Sequence, residues 1–317
     1  MAKQEIELPQ AQGLTAIRRP LDGQVRRSLG LGSLLFVAPA VIIFASLMVF
    51  PLLHLAGLSL FEWSGFPRSP MRWVGLENFR KLLFEDRIFW QSVQNTLVYT
   101  AIVTVAWSTI SLFLALLLST KPRGFAFYRM MFFAPAVMSE VAVAIAWRQV
   151  LEPNIGFLNV FLRAVGVQDP PVWLGNPSIV LFVLSVISIW QWVGYSMVIY
   201  LAGLQTIPKD LSEAARTDGA NEIMVVRHIT LPLMKPFIVL VSTLNLIGAL
   251  KVFAVVYAVT QGGPAHYSEV VTSYMYINAY VLNQQGYASA IAMLLVIGIV
   301  VLTLAFRRTS GGAGGVY

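Results

Sequence analysis

Residues Glu213–Pro232 read "EAARTDGANEIMVVRHITLP". This polar, mixed-charge stretch lies between two of the most apolar runs in the chain. Its own residues predict a short helix followed by a bend. Pro208 opens the helix at a position where a missing N–H costs nothing. Asp210 and Glu213 fall in the first turns, where carboxylates suit the positive end of the helix. Gly219 interrupts the helix and lets a second segment leave at an angle. Pro232 and Pro236 then mark the start of the next apolar run. Ala214, Ala215, Gly219 and Ala220 are small enough for another surface to approach closely, while Glu213, Asp218 and Glu222 offer charge. The stretch reads as a helix outside the bilayer that presents a docking surface.

The rest of the chain makes that bilayer necessary. Of 317 residues, 57% are hydrophobic and 12% charged, about half the charged fraction of a soluble domain. Six apolar runs approach the length of about 20 residues that a membrane helix requires: Leu31–Leu58, Thr96–Leu118, Tyr128–Val150, Ile179–Leu204, Pro236–Val259 and Tyr287–Phe306. They are continuous rather than alternating, which excludes a transmembrane β-barrel. The fold expected is an all-α integral membrane protein with six transmembrane helices spanning residues 31–308. A tail over residues 1–30, the quoted loop at about 205–234 and a flexible tail over 309–317 flank or interrupt it. The first run is too long, and stays apolar too far, for a cleaved signal.

With the N-terminus inside, the inner segments hold 14 of the 22 Lys and Arg residues and the outer segments 7, with Lys251 inside the fifth run. This bias predicts both termini, and the Glu213–Pro232 stretch, on the cytoplasmic side. It accounts for the formal charge of +7 without a nucleic-acid partner. The absence of cysteine removes disulfides and Cys-based metal sites. The three histidines are scattered, and no metal site is expected. In the first outer loop, Leu76, Phe79, Leu82 and Leu83 recur at helical spacing. They fit either a helix on the membrane surface or one packed on the ends of the spans.

The spacing within the stretch carries a resemblance. Glu213-Ala214-Ala215, three residues, Gly219, nine residues, Ile229, one residue, Leu231-Pro232 is similar to the EAA motif of ABC importer permeases. "GLENFRKLLFEDRIFWQSVQNTLVYT", "VYAVTQGGP" and "GYASAIAMLLVIGIVV" resemble the carbohydrate-uptake branch, the maltose and glycerol-phosphate type. The resemblance covers nearly all of the chain after residue 30. It implies a type I (MetI-like) permease of a bacterial or archaeal inner membrane, importing a sugar or sugar derivative. It also implies a second homologous permease, two copies of a cytoplasmic ABC ATPase docked on a coupling helix, and an extracytoplasmic solute-binding protein. The coupling residues are then Glu213, Ala214, Ala215, Asp218, Gly219 and Ala220. No G-x-x-x-x-G-K-[ST] sequence occurs, so no Walker-type phosphate cradle is expected here. This chain is expected to bind no cofactor and to be no enzyme itself; ATP and Mg belong to the partner ATPase.

Ionisable groups at membrane depth point to function, and two qualify, Glu140 and Lys251. Glu140 follows Pro135 and fits either a group facing an aqueous vestibule or a structural acceptor paired with Lys251. By the same resemblance, Gln191, Trp192 and Tyr195 fall where sugar is contacted, and Asn245, Gly248, Ala249 and Val252 fall on the facing wall. The chain departs from the pattern in keeping only Asn245 where asparagines abound and in adding Lys251. That lysine suits an anionic sugar or faces the partner permease. The tryptophans also fit interfacial belts and core packing. A secondary transporter, a membrane-embedded enzyme and an ABC permease for another solute are the rival readings. The first has no need of the EAA loop, and the second lacks a catalytic constellation.

Overall fold

The computed structural model describes residues 31–311, with side chains from residue 35. Most of the two tails expected from sequence, residues 1–30 and 312–317, lies outside the described residues. Two compact units divide the chain, Met1–His54 and Leu55–Tyr317. The first apolar run is helical throughout: α1 (Leu31–Phe44), a π-helical turn (Ala45–Val49) and α2 (Phe50–Leu58). Its apolar residues fall on every side of the helix rather than on one stripe, the pattern of a membrane span.

A short hairpin follows, β1 (Phe61–Glu62) antiparallel to β2 (Arg72–Trp73). After it come α3 (Glu77–Phe84), α4 (Arg87–Ser119), α5 (Phe125–Val137), α6 (Glu140–Val150), α7 (Phe157–Ala164) and α8 (Val180–Leu204). The chain continues with α9 (Lys209–Thr217), α10 (Glu222–Val225), α11 (Leu231–Leu250), α12 (Ala254–Val259), α13 (Val271–Tyr276) and α14 (Gln285–Thr309). Among the described residues, five helical stretches are long and apolar enough to cross a membrane, and six if the bent pair α5 and α6 forms one span. The 33 residues of α4 extend about 50 Å at ~1.5 Å per residue, well beyond a ~30 Å hydrocarbon core. Helix α14 continues to Thr309, one residue into the tail expected from sequence.

The amphipathic outer segment packs rather than floats. Leu82 of α3 is fully buried against Phe89, Tyr274, Ala290 and Ile291, and Asn78 donates to the Ser59 and Phe61 carbonyls. Asp86 fastens three elements there. Its carboxylate accepts the Phe89 N–H at the start of α4 and the hydroxyls of Tyr274 and Tyr287, each 2.6 Å away.

The core of the larger unit is the contact of α4, α8 and α11. Met197, Tyr200, Leu201, Met234 and Val241 are buried in it. Helix α8 meets α5 at Gly194, where an added Cβ would lie 2.0 Å from the Phe132 carbonyl oxygen. Only a residue without a side chain permits that approach.

The third span is the main correction to the sequence reading. The stretch Tyr128–Val150 is not one helix: α5 and α6 meet at a 98° bend. Pro135 removes a hydrogen bond from the last turn of α5, and Met138 is extended at φ −74°, ψ 148°. Neither piece alone is long enough to span a bilayer. A second break separates α11 from α12 at Lys251–Phe253.

Candidate functional site

Non-helical backbone at membrane depth persists only where protein buries it or where it lines a cavity. Here side chains satisfy both breaks. The Gln191 amide donates to the Met138 carbonyl at 3.3 Å, and the Thr272 hydroxyl donates to the Val252 carbonyl. Between the breaks lies a cavity of about 140 Å3, lined by Glu140, Gln191, Trp192, Gly248, Lys251 and Val252 among others. All six came from the sequence reading. Glu140 begins α6, so its carboxylate sits at the positive end of an 11-residue helix. It accepts the Trp192 indole N–H at 3.1 Å. No ion pair between Glu140 and Lys251 forms among the described residues. Both side chains line the one cavity.

The other three expected path residues lie elsewhere. Tyr195 is exposed at the surface of α8 and meets Trp192 edge-on, ring centroids 6.0 Å apart. Although four residues from Gln191, it does not share that residue's surroundings, because Gln191 is turned into the helix contact and is 2% exposed. Asn245 is buried between helices. It accepts the Ser196 hydroxyl at 2.8 Å and donates to Ser108 at 3.2 Å, and its polarity is consumed there. Ala249 is fully buried against Tyr99, Val103 and Trp107 behind the cavity wall.

Tyr99, Trp107 and Ser188 also line the cavity, as do Phe253, Ala254 and Val255, and none of the six was found from sequence. The Tyr99 hydroxyl donates to Ser188 Oγ at 2.6 Å, and the Trp107 indole donates to the Ser188 carbonyl at 3.0 Å. Tyr99, Val103 and Trp107 follow one another at intervals of four, a single helix stripe. That spacing of two polar-tipped aromatics in an apolar span was the available signal.

The quoted stretch folds largely as its residues dictate. Helix α9 spans Lys209–Thr217, with extended Pro208 as its N-cap and Asp218 as its C-cap. Gly219 has φ +90°, a conformation that side-chain-bearing residues resist. Asn221 then caps α10, accepting the Met224 N–H at 2.9 Å. Arg216 bridges the turn to Glu222 through two hydrogen bonds, 2.7 and 3.1 Å. That contact holds the exposed guanidinium above its usual pKa range. Glu222 is thus engaged within the chain rather than offered outward.

Helix α9 has two distinct faces. Lys209, Ser212, Glu213 and Arg216 line a second cavity, of about 450 Å3, between the loop and the ends of α4 and α8. Leu211, Ala214, Thr217 and Asp218 are exposed on the other side, with Leu211 45% exposed. Ala215 and Ala220 are half-buried. Glu213 is exposed and has no ion pair among the described residues. Among the described residues, nothing lies within 4 Å of a Cβ added at Gly219. The glycine serves the bend.

Residues 109–309 match the family described as binding-protein-dependent transport system inner membrane component. The chain is 37% identical over 274 residues to the probable ABC transporter permease protein YurN of Bacillus subtilis strain 168, covering 85% of this chain and 92% of that one. It is 31% identical over 284 residues to the lactose transport system permease protein LacF of Rhizobium radiobacter, covering 88% and 94%. Its fold superimposes on a chain in the crystal structure of a bacterial ABC transporter that imports the acidic polysaccharide alginate. That match has a TM-score of 0.77 and 23% identity, with 89% of this chain and 96% of that one covered. The broken third span and the loop between α8 and α11 thus belong to a multi-pass membrane permease, and the chain is a member of the binding-protein-dependent ABC importer permease family.

Proposed function

We propose that this permease carries a sugar or sugar derivative into the cytoplasm, past the cavity where the two chain breaks meet. The observation behind the reading is the convergence of Glu140, Gln191, Trp192 and Lys251 on that cavity. It offers an aromatic face, an amide and two unpaired charges, the chemistry that hydroxyl-rich solutes require. The lactose assignment of the similar LacF supports the same class. At about 140 Å3 the cavity is well under the ~300–1,000 Å3 of ordinary ligand sites. The walls on α5–α6 and α11–α12 must part, or a second permease must complete the path, before a sugar passes.

In this reading the excess of basic residues places α9 in the cytoplasm. A partner ATPase, which binds ATP and Mg, grips its Leu211–Ala214–Asp218 face, and Glu213 meets a basic residue at the rim of the ATPase socket. An extracytoplasmic binding protein delivers the solute from the other side, and a homologous permease stands alongside. The experiment is ATP hydrolysis by the reconstituted complex against a panel of sugars delivered by the binding protein. Stimulation by at least one sugar supports the proposal. Stimulation only by amino acids or inorganic ions contradicts it. Lys251→Met sharpens the class: selective loss of anionic sugars assigns the lysine to substrate, whereas equal loss for neutral and anionic sugars makes it structural.

A further inference from the structure

The 450 Å3 cavity behind α9 falls within the size range of small-molecule sites, and its lining sets an apolar wall against a polar and charged rim. The apolar wall comes from elements that stay in the membrane, with Leu118 on α4, Phe125 on α5, and Leu201 and Leu204 on α8. The charged rim comes from the loops. Glu222 is matched by Arg216. Lys121 and Lys209 form no ion pair among the described residues, and Glu213 is the remaining rim carboxylate. Lys121 also sits at φ +51°, a left-handed backbone that a lysine adopts at a cost. Strain of this kind points to a local role when the surrounding structure enforces it.

We propose that this cavity is a regulatory site for an amphiphile with an anionic head group, its apolar part on the α4–α8 wall and its head met by Lys121 and Lys209. The inference rests on the coupling role of α9, because the cavity shares the Lys209–Ser212–Glu213–Arg216 face of that helix. An occupant that fits this arrangement better than a shifted one stabilises it and opposes movement of α9. ATP turnover then falls as the site fills. The head-group chemistry is shared by a free fatty acid and an anionic phospholipid of the inner leaflet.

The test uses the whole importer in phosphatidylcholine nanodiscs, with ATP hydrolysis followed as decanoate or decanol is added. Decanoate is expected to slow turnover saturably and decanol to leave it unchanged. Lys121→Asn removes the charge while keeping a residue that tolerates left-handed φ. It is expected to keep basal turnover and to shift the half-effective decanoate concentration about tenfold, the size of one lost charge-assisted contact. A photoactivatable decanoate is expected to label α4 and α8 around Leu118, Leu201 and Leu204. Replacing part of the lipid with phosphatidylglycerol separates the sources. Slowing by phosphatidylglycerol alone identifies a lipid head group, and slowing by decanoate alone identifies a free fatty acid. Equal potency of decanol and decanoate, an unshifted Lys121→Asn response, or labelling elsewhere would overturn the site. Failure to hydrolyse ATP or take up sugar without any amphiphile would instead count against the permease reading.

Discussion

Gly194 and Gly219 lack a side chain for different reasons, and the difference separates the membrane region from the loop between α8 and α11. At Gly194 a Cβ would strike the backbone of α5, 2.0 Å from the Phe132 oxygen; at Gly219 it would meet nothing within 4 Å, while the backbone stands at φ +90°. The membrane region is defined by close contact between distant segments. The loop is defined by its own backbone, its caps and one bridging ion pair, and one face of α9 is exposed. Substitutions in the first region should therefore be felt within this chain, and those in the second mainly in a complex.

The largest effect expected is from Gly194→Leu. Backbone-to-side-chain overlap at a helix crossing costs more than the ~1–3 kcal/mol of ordinary overpacking, so little monodisperse protein should survive extraction from the membrane. Gly219→Ala, by contrast, faces only the left-handed penalty of roughly 1–2 kcal/mol and should purify normally. Equal yields of the two variants would break the comparison.

Next is Gln191→Ala. It strips the Met138 carbonyl of its partner and widens the cavity, a loss on the order of 1–3 kcal/mol for an unsatisfied buried group. Uptake should fall about tenfold or more with complex assembly intact. Tyr195→Ala should have a much smaller effect because Tyr195 lies outside the cavity. Parallel losses measured in the same uptake assay would return Tyr195 to the path.

A sidedness experiment sharpens the other half. Ser212→Cys, on the half-buried face of α9, should react with a membrane-impermeant maleimide only from the cytoplasmic side. Labelling from outside would invert the topology.

The smallest expected effect is at Glu152, in the loop after α6. Backbone N–H groups of Ile155 and Asn154 donate to its carboxylate and hold its pKa below the ordinary carboxylate range. The stabilisation is therefore present above the unfolded-state value near ~4.3 and is lost as pH falls through the lowered folded-state value. Protease nicking between α6 and α7 should increase only at that acid extreme, and Glu152→Gln should nick at neutral pH too. An unchanged pattern in both conditions would show that the carboxylate does not order the loop.

The same contrast governs how much could be read beforehand. Pro208, Asp210, Gly219 and the spacing to Pro232 act within a few residues of themselves, so α9 and its bend were legible from the sequence. The cavity was legible mainly through the family resemblance, which gave positions but not partners. Gln191, Trp192 and Lys251 were found, but Asn245 is absorbed by Ser108 and Ser196 on other helices, and such pairing leaves no local trace. Pro135 was visible, but not the 98° bend or the Gln191 amide that meets the Met138 carbonyl there from another helix. Tyr99 and Trp107 looked like ordinary span aromatics until Ser188 was brought against them.

The central claim is that the cavity serves transport and α9 serves coupling. The most direct measurement is the number of sugar molecules taken up per ATP hydrolysed in proteoliposomes, compared between Gln191→Ala and the loop variants Glu213→Lys and Gly219→Asp. Gln191→Ala should slow uptake with ATPase subunits fully bound. The loop variants should lose bound ATPase or hydrolyse ATP without uptake, while the binding protein still docks outside. Loop variants that assemble fully and keep the wild-type ratio at wild-type rates would contradict that claim.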